Sequence, residues 1–154
     1  MLEFRDIPMD EEPAWSLSRA LVAEMSRLYD DKEIDGDDMP KAGPAELGPP
    51  GGAFLVGFDG AVAVCCGGVK RLPDGTCELK RMYVAPEARG TGAGRELLTA
   101  LEDRARALGY DVARLDTGPR QPEAEAWYRR AGYAPIRNFK VNPVATLFGE
   151  SRLG

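Results

Sequence analysis

Residues 82–95 read MYVAPEARGTGAGR. The run combines the end of an apolar strand, a turn containing Pro86, three glycines at alternate positions (Gly90, Gly92, Gly94) and the polar start of an amphipathic segment. Leu97, Leu98, Leu101, Ala105 and Leu108 then recur at helical spacing, and Gly109 closes the pattern, which predicts a helix over 95–108. Glycines at the mouth of a helix leave its first N–H groups bare, beside the positive end of the helix dipole. That combination is an anion site.

Two common phosphate motifs fail on this stretch. The dinucleotide fingerprint G-x-G-x-x-G requires glycine where the chain has Arg95, or Leu97 if counted from Gly92. The P-loop pattern also demands a glycine at Arg95. What remains, Arg89 to Gly94, fits [RQ]-x-x-G-x-[GA] directly after a strand and at the head of a helix.

The flanks extend the reading in both directions. Residues 53–58 (AFLVGF) and 61–71 (AVAVCCGGVKR) form an antiparallel pair across an Asp59-Gly60 turn. Pro73-Asp74-Gly75 turns the chain into a third strand, 76–84. Residues 2–7 read as a first strand. A helix over 13–29 follows, opened by Asp10, Glu11, Glu12 and Pro13 and striped by Leu17, Leu21, Met25 and Leu28. From residue 30 to 52 the periodicity dissolves into an acidic, Pro- and Gly-rich loop, a second-rank candidate for recognising an amine. Residues 111–116 form a strand parallel to 76–84, Pro122 opens a helix closed by Gly132, and 133–138 and 144–149 read as short final strands. The expected fold class is α/β, a mixed and mostly antiparallel sheet flanked by helices, with residues 1–154 as one domain.

Composition excludes whole classes of chemistry. The chain has no histidine, so His triads, His bases and His–metal sites are ruled out. Its net charge of −5 disfavours nucleic-acid binding. No apolar run reaches membrane length and no signal-peptide pattern opens the chain, so no membrane partner and a cytoplasmic location are expected. Cys65, Cys66 and Cys77 lie in strand-like segments and read as reduced, buried thiols; no metal is expected.

Two further segments match a known pattern in order. Residues 78–84 (ELKRMYV) resemble the central strand of the GNAT superfamily of acyl-CoA N-acyltransferases, and the elbow resembles its pyrophosphate loop. Residues 121–133 (QPEAEAWYRRAGY) are similar to its later helix, an amide residue followed by Ala, Tyr and a Gly-aromatic pair. The resemblance covers residues 76–137 best.

It implies a sheet splayed open beside the central strand, with the pantetheine arm of acetyl-CoA paired to the backbone of Met82, Tyr83 and Val84. The pyrophosphate is expected on the N–H groups of Gly90, Thr91, Gly92, Ala93 and Gly94, with Arg89 and Arg95 supplying charge. Gln121, the amide of the helix motif, joins this cofactor-binding set. Tyr128 matches the family tyrosine whose hydroxyl faces the CoA sulfur and protonates the leaving thiolate.

Glu78 is the expected base, directly or through a water, and strand alternation puts it on the same face as Met82. The other reading of Glu78 is a strand carboxylate paired with Lys or Arg. Asp116, Thr117, Asn142 and Pro143 are weaker candidates for lining the acceptor pocket.

The implied reaction is direct acetyl transfer to the primary amine of a small molecule. Freeing the lone pair of an amine of pKa ~10.4 at neutral pH costs roughly 4.6 kcal/mol, so the amine needs more help than the thiol. A protein N-terminus or lysine as acceptor, and a non-catalytic acyl-CoA sensor, remain alternatives. The resemblance also implies that homodimers are common.

Overall fold

The computed structural model describes residues 1–29, 42–117, 122–136 and 147–153. Among these residues seven strands form one sheet: β1 (Glu3–Asp6), β2 (Ala53–Asp59), β3 (Val62–Arg71), β4 (Cys77–Val84), β5 (Val112–Thr117), β6 (Ala134–Pro135) and β7 (Leu147–Arg152). Among the described residues three α-helices accompany them: α1 (Ala14–Leu28), α2 (Ala93–Ala107) and α3 (Pro122–Arg130). The spatial order is β1-β2-β3-β4-β5-β7-β6, and only the β4–β5 pair is parallel. Helix α2 supplies the crossover that a parallel pair requires.

Alternation along the strands builds a core on each face. On one side Leu97, Leu98, Leu101 and Ala105 of α2 pack on Leu55, Cys65, Val69, Cys77, Leu79, Ala113 and Leu115. On the other, Phe54, Val56, Phe58, Cys66 and Tyr83 lie under α1 with Met9, Ala42 and Leu47. The buried line of α1 is Ala14, Ser18 and Val22, with Leu17 and Leu21 beside it. The expected Leu17–Leu28 stripe is therefore turned, because small residues let the helix sit close to the sheet. The Glu12 carboxylate, just ahead of the Pro13 N-cap, accepts the Ser16 N–H at 3.1 Å.

Several boundaries move from their expected places. The hairpin turn between β2 and β3 is Gly60-Ala61, one residue later than Asp59-Gly60. Helix α2 begins at Ala93, two residues before the expected start, which puts Gly94 inside its first turn. The final strand runs 147–152 instead of 144–149, because its pairing with β5 carries it to Arg152 opposite Val112. The loop read as 30–52 is not uniform. Leu47 is fully buried, and Tyr110 Oη donates to the Gly51 carbonyl, so residues 42–52 are fastened to the sheet. Residues 30–41 lie outside the described set.

The β4–β5 ladder contains only Cys77↔Ala113 and Glu78↔Arg114. Beyond that rung the strands separate, leaving the last part of β4 open on its β5 side. The expected splay is present. Next to it the β3–β4 register shifts between Cys66 and Gly68, where Arg81 has φ 57°. Arg81 is the one non-glycine residue with positive φ among those described. Such a conformation costs roughly 1–3 kcal/mol and survives only where surrounding contacts hold it. Here Arg81 Nε donates to the Ala42 carbonyl at 3.2 Å, and Cys66 Sγ donates to the Arg81 carbonyl at 3.7 Å.

Candidate active site

The glycine elbow forms one wall of a cleft of about 380 Å³ lined by Val84, Arg89, Gly90, Gly92, Gly94, Arg95 and Trp127. Gly90 and Gly92 have φ 79° and 92°, left-handed values that a side chain would disfavour. Gly92 is the N-cap of α2, and no side chain caps that end. The first bond within the helix is Glu96 N–H to the Gly92 carbonyl, at 3.1 Å. The N–H groups of Ala93, Gly94 and Arg95 precede it and have no acceptor inside the helix. An anion in the cleft meets these donors at the positive end of the dipole.

Of the expected cofactor-binding residues, Val84, Arg89, Gly90, Gly92, Gly94 and Arg95 thus come together. Ala93 is buried and offers only its backbone. Thr91 is exposed on the elbow, its hydroxyl donating to the Ala88 carbonyl. Arg89 is held by Glu24 of α1 at 2.7 Å and by the Val84 carbonyl at 2.9 Å, so Arg95 is the more available charge. Tyr83 sends its side chain to the α1 face, with the Arg89 guanidinium 5.7 Å above its ring. Gln121, Asn142 and Pro143 lie outside the described residues, as does the side chain of Thr117.

Trp127 lines the cleft without having been singled out in the sequence. Its signal was adjacency: neighbouring helical residues point about 100° apart, so a helix presenting Tyr128 to the gap presents Trp127 beside it. A Cβ added to Gly94 would lie 3.8 Å from both Trp127 and Val84, which shows how closely the two walls approach there.

Tyr128 is gripped between Trp127 at 5.2 Å and Tyr133 at 6.0 Å, both edge-to-face, and Tyr133 is itself tied to Glu102 at 2.8 Å. Its hydroxyl donates to Met82 Sδ at 3.4 Å, so α3 brings it against the open stretch of β4. Burial, with the Asp116 carboxylate adding to it, pushes the hydroxyl up to about 12. It stays protonated at neutral pH.

The expected placement of Glu78 is overturned. Cys77 and Leu79 face α2, so Glu78 points to the α1 side. The bulge at Arg81 then reverses the alternation: Met82 and Val84 pack with the α2 core, whereas Tyr83 joins the α1 core. Glu78 and Met82 therefore occupy opposite faces. Glu78 is fully buried and sits 3.7 Å from Lys80 Nζ.

All three cysteines are buried. Burial raises Cys65 to about 11, and Cys66 and Cys77 to about 12. None is a thiolate at neutral pH, and none lines the cleft. Among the described residues no group of acidic or thiol side chains is placed to hold a metal, and no helix is long and apolar enough to cross a membrane.

A parallel pair prised apart beside a glycine-headed helix, with a tyrosine turned into the gap, defines the acyl-CoA-dependent acyltransferase class. Comparison with known proteins agrees. Residues 5–133 match the Acetyltransferase (GNAT) family. An IAA acetyltransferase of Azospirillum brasilense is 42% identical over 111 residues, spanning 70% of this chain and 72% of that protein. A GNAT acetyltransferase from Staphylococcus aureus superposes with TM-score 0.81 at 19% identity, covering 100% of both chains. A GNAT acetyltransferase from Elizabethkingia anophelis, solved with acetyl-CoA bound, gives 0.68 at 14% identity over 98% of this chain and 97% of the other. The chain belongs to the GNAT family and is an N-acetyltransferase.

Proposed function

We propose that this enzyme transfers the acetyl group of acetyl-CoA directly to a primary amine of a small molecule. The observation that carries the reading is the placement of Glu78 and Tyr128 on opposite faces of the sheet near the point where β4 leaves β5. The thioester lies in the gap, its sulfur toward Tyr128. The amine approaches from the α1 side, loses its proton to Glu78 and attacks the carbonyl carbon. As the new C–N bond forms and the C–S bond breaks, Tyr128 gives its proton to the departing thiolate, and the second proton of the nitrogen restores the Tyr128 hydroxyl, leaving a neutral amide and free CoA.

Met82 lies four positions along β4 from Glu78 and on the opposite face, so the proton reaches Glu78 through bound water. An acyl-enzyme route would need a nucleophile, and the buried cysteines with thiols raised to about 11 and 12 are unsuited to that. The relative named for IAA acetylation supports a small-molecule acceptor.

Thiol release from acetyl-CoA across a panel of amines and peptides tests this reading. Release dependent on small primary amines supports it. Release with peptides alone would identify a protein acceptor. Tight CoA binding with no acceptor-dependent release would make the protein a sensor and end the proposal.

A further inference from the structure

The Tyr128–Met82 contact bears on the donor as well as on the leaving group. We propose that the Met82 side chain sets the length of the acyl group, admitting acetyl and refusing propionyl and longer chains. This rests on the reading in which Tyr128 marks the position of the thioester sulfur.

Met82 Sδ lies 3.4 Å from the Tyr128 hydroxyl. A thioester sulfur that takes the same proton must lie within hydrogen-bond reach of the same oxygen. The two sulfurs share one shell, and the acyl carbon is a single bond from one of them. A chain extended beyond the methyl competes for volume held by the Met82 thioether.

Met82 has little room to withdraw. Across the bulge is Gly67, where an added Cβ would come within 3.3 Å of Met82 Cγ, 2.8 Å of Leu101 Cδ1 and 3.5 Å of Leu97 Cδ1. The space behind the thioether is filled by α2 and by the backbone of β3. The bulge is also what aims Met82 at this spot; with unbroken alternation it would face α1.

The test compares kcat/KM for acetyl-, propionyl- and butyryl-CoA in the wild type and in Met82→Ala, Met82→Val and Met82→Leu, each first shown to be folded. One methylene against a packed wall is worth roughly tenfold or more. The wild type should prefer acetyl over propionyl by at least that factor. Met82→Ala should raise the propionyl-to-acetyl ratio roughly tenfold, Met82→Val by less, and the volume-conserving Met82→Leu should leave it within about twofold.

An unchanged ratio in folded Met82→Ala and Met82→Val, or wild-type use of propionyl equal to acetyl, overturns the gate. Tyr128→Phe separates this failure from that of the underlying reading. If it keeps full acetyl turnover, the tyrosine does not mark the sulfur and both fall. If it is impaired while the ratios stay fixed, only the gate falls.

Discussion

Glu78 and Arg114 are the last paired residues of β4 and β5, and the sheet opens immediately beyond them. Arg114 is anchored to Glu150 at 2.8 Å and to Asp74 at 2.7 Å. The rung is thus braced from β7 and from the β3–β4 turn. Glu78, fully buried on that rung, is fixed in place rather than free to follow a substrate.

This fixity makes Glu78→Gln informative, because the amide keeps the shape and removes the base. Turnover, read as thiol release, should fall roughly 10²-fold while the fold is retained. A folded Glu78→Gln enzyme that keeps wild-type turnover assigns Glu78 to structure alone, paired with Lys80.

Tyr128→Phe should lower kcat by roughly 10²-fold, near the small end for general acids, because a thiolate leaves readily. Affinity for CoA, measured by calorimetry, should hardly move. The raised hydroxyl, at about 12, sets the sign of the pH effect: the acid form persists through neutral and mildly alkaline pH and is lost only as pH approaches that value. An alkaline decline of kcat near pH 8 that vanishes in Tyr128→Phe would contradict this.

The glycines of the elbow should differ sharply. Nothing lies within 4 Å of a Cβ built on Gly92, so a side chain there clashes with no protein atom. Its φ of 92° still disfavours any other residue, by roughly 1–2 kcal/mol. Gly92→Val should therefore disturb the cap of α2 and abolish CoA binding. Gly94 is helical and meets only ordinary contacts at 3.8 Å, so Gly94→Ala should raise thermal stability by roughly 0.5–1 kcal/mol. Retained CoA affinity in Gly92→Val would refute the pyrophosphate assignment.

Alkylation offers a check on the direct-transfer route. With thiols raised to about 11 and 12 and buried, iodoacetamide at pH 8 should leave Cys65, Cys66 and Cys77 unmodified in the native protein and activity intact. Rapid labelling accompanied by loss of activity, followed by mass spectrometry, would reopen a cysteine nucleophile.

The sequence alone carried the elbow, the order of the elements and the place of Tyr128, because each depends on local spacing: glycines before a helical stripe, a turn between strands, an aromatic about one turn from a capping glycine. Tertiary structure decided the rest. Alternation with period two put Glu78 and Met82 on one face, but alternation holds only while a strand keeps its register. Pairing with β3 across Gly67 forces Arg81 to φ 57° and turns Met82 to the other side. That register is set by residues more than ten positions away, with no mark in 78–84 itself. The same holds for Trp127, which became a cleft wall only when α3 was laid against the elbow. Local patterns named the glycine-headed cleft; the bulge in β4 determined which side of the sheet Glu78 and Met82 face.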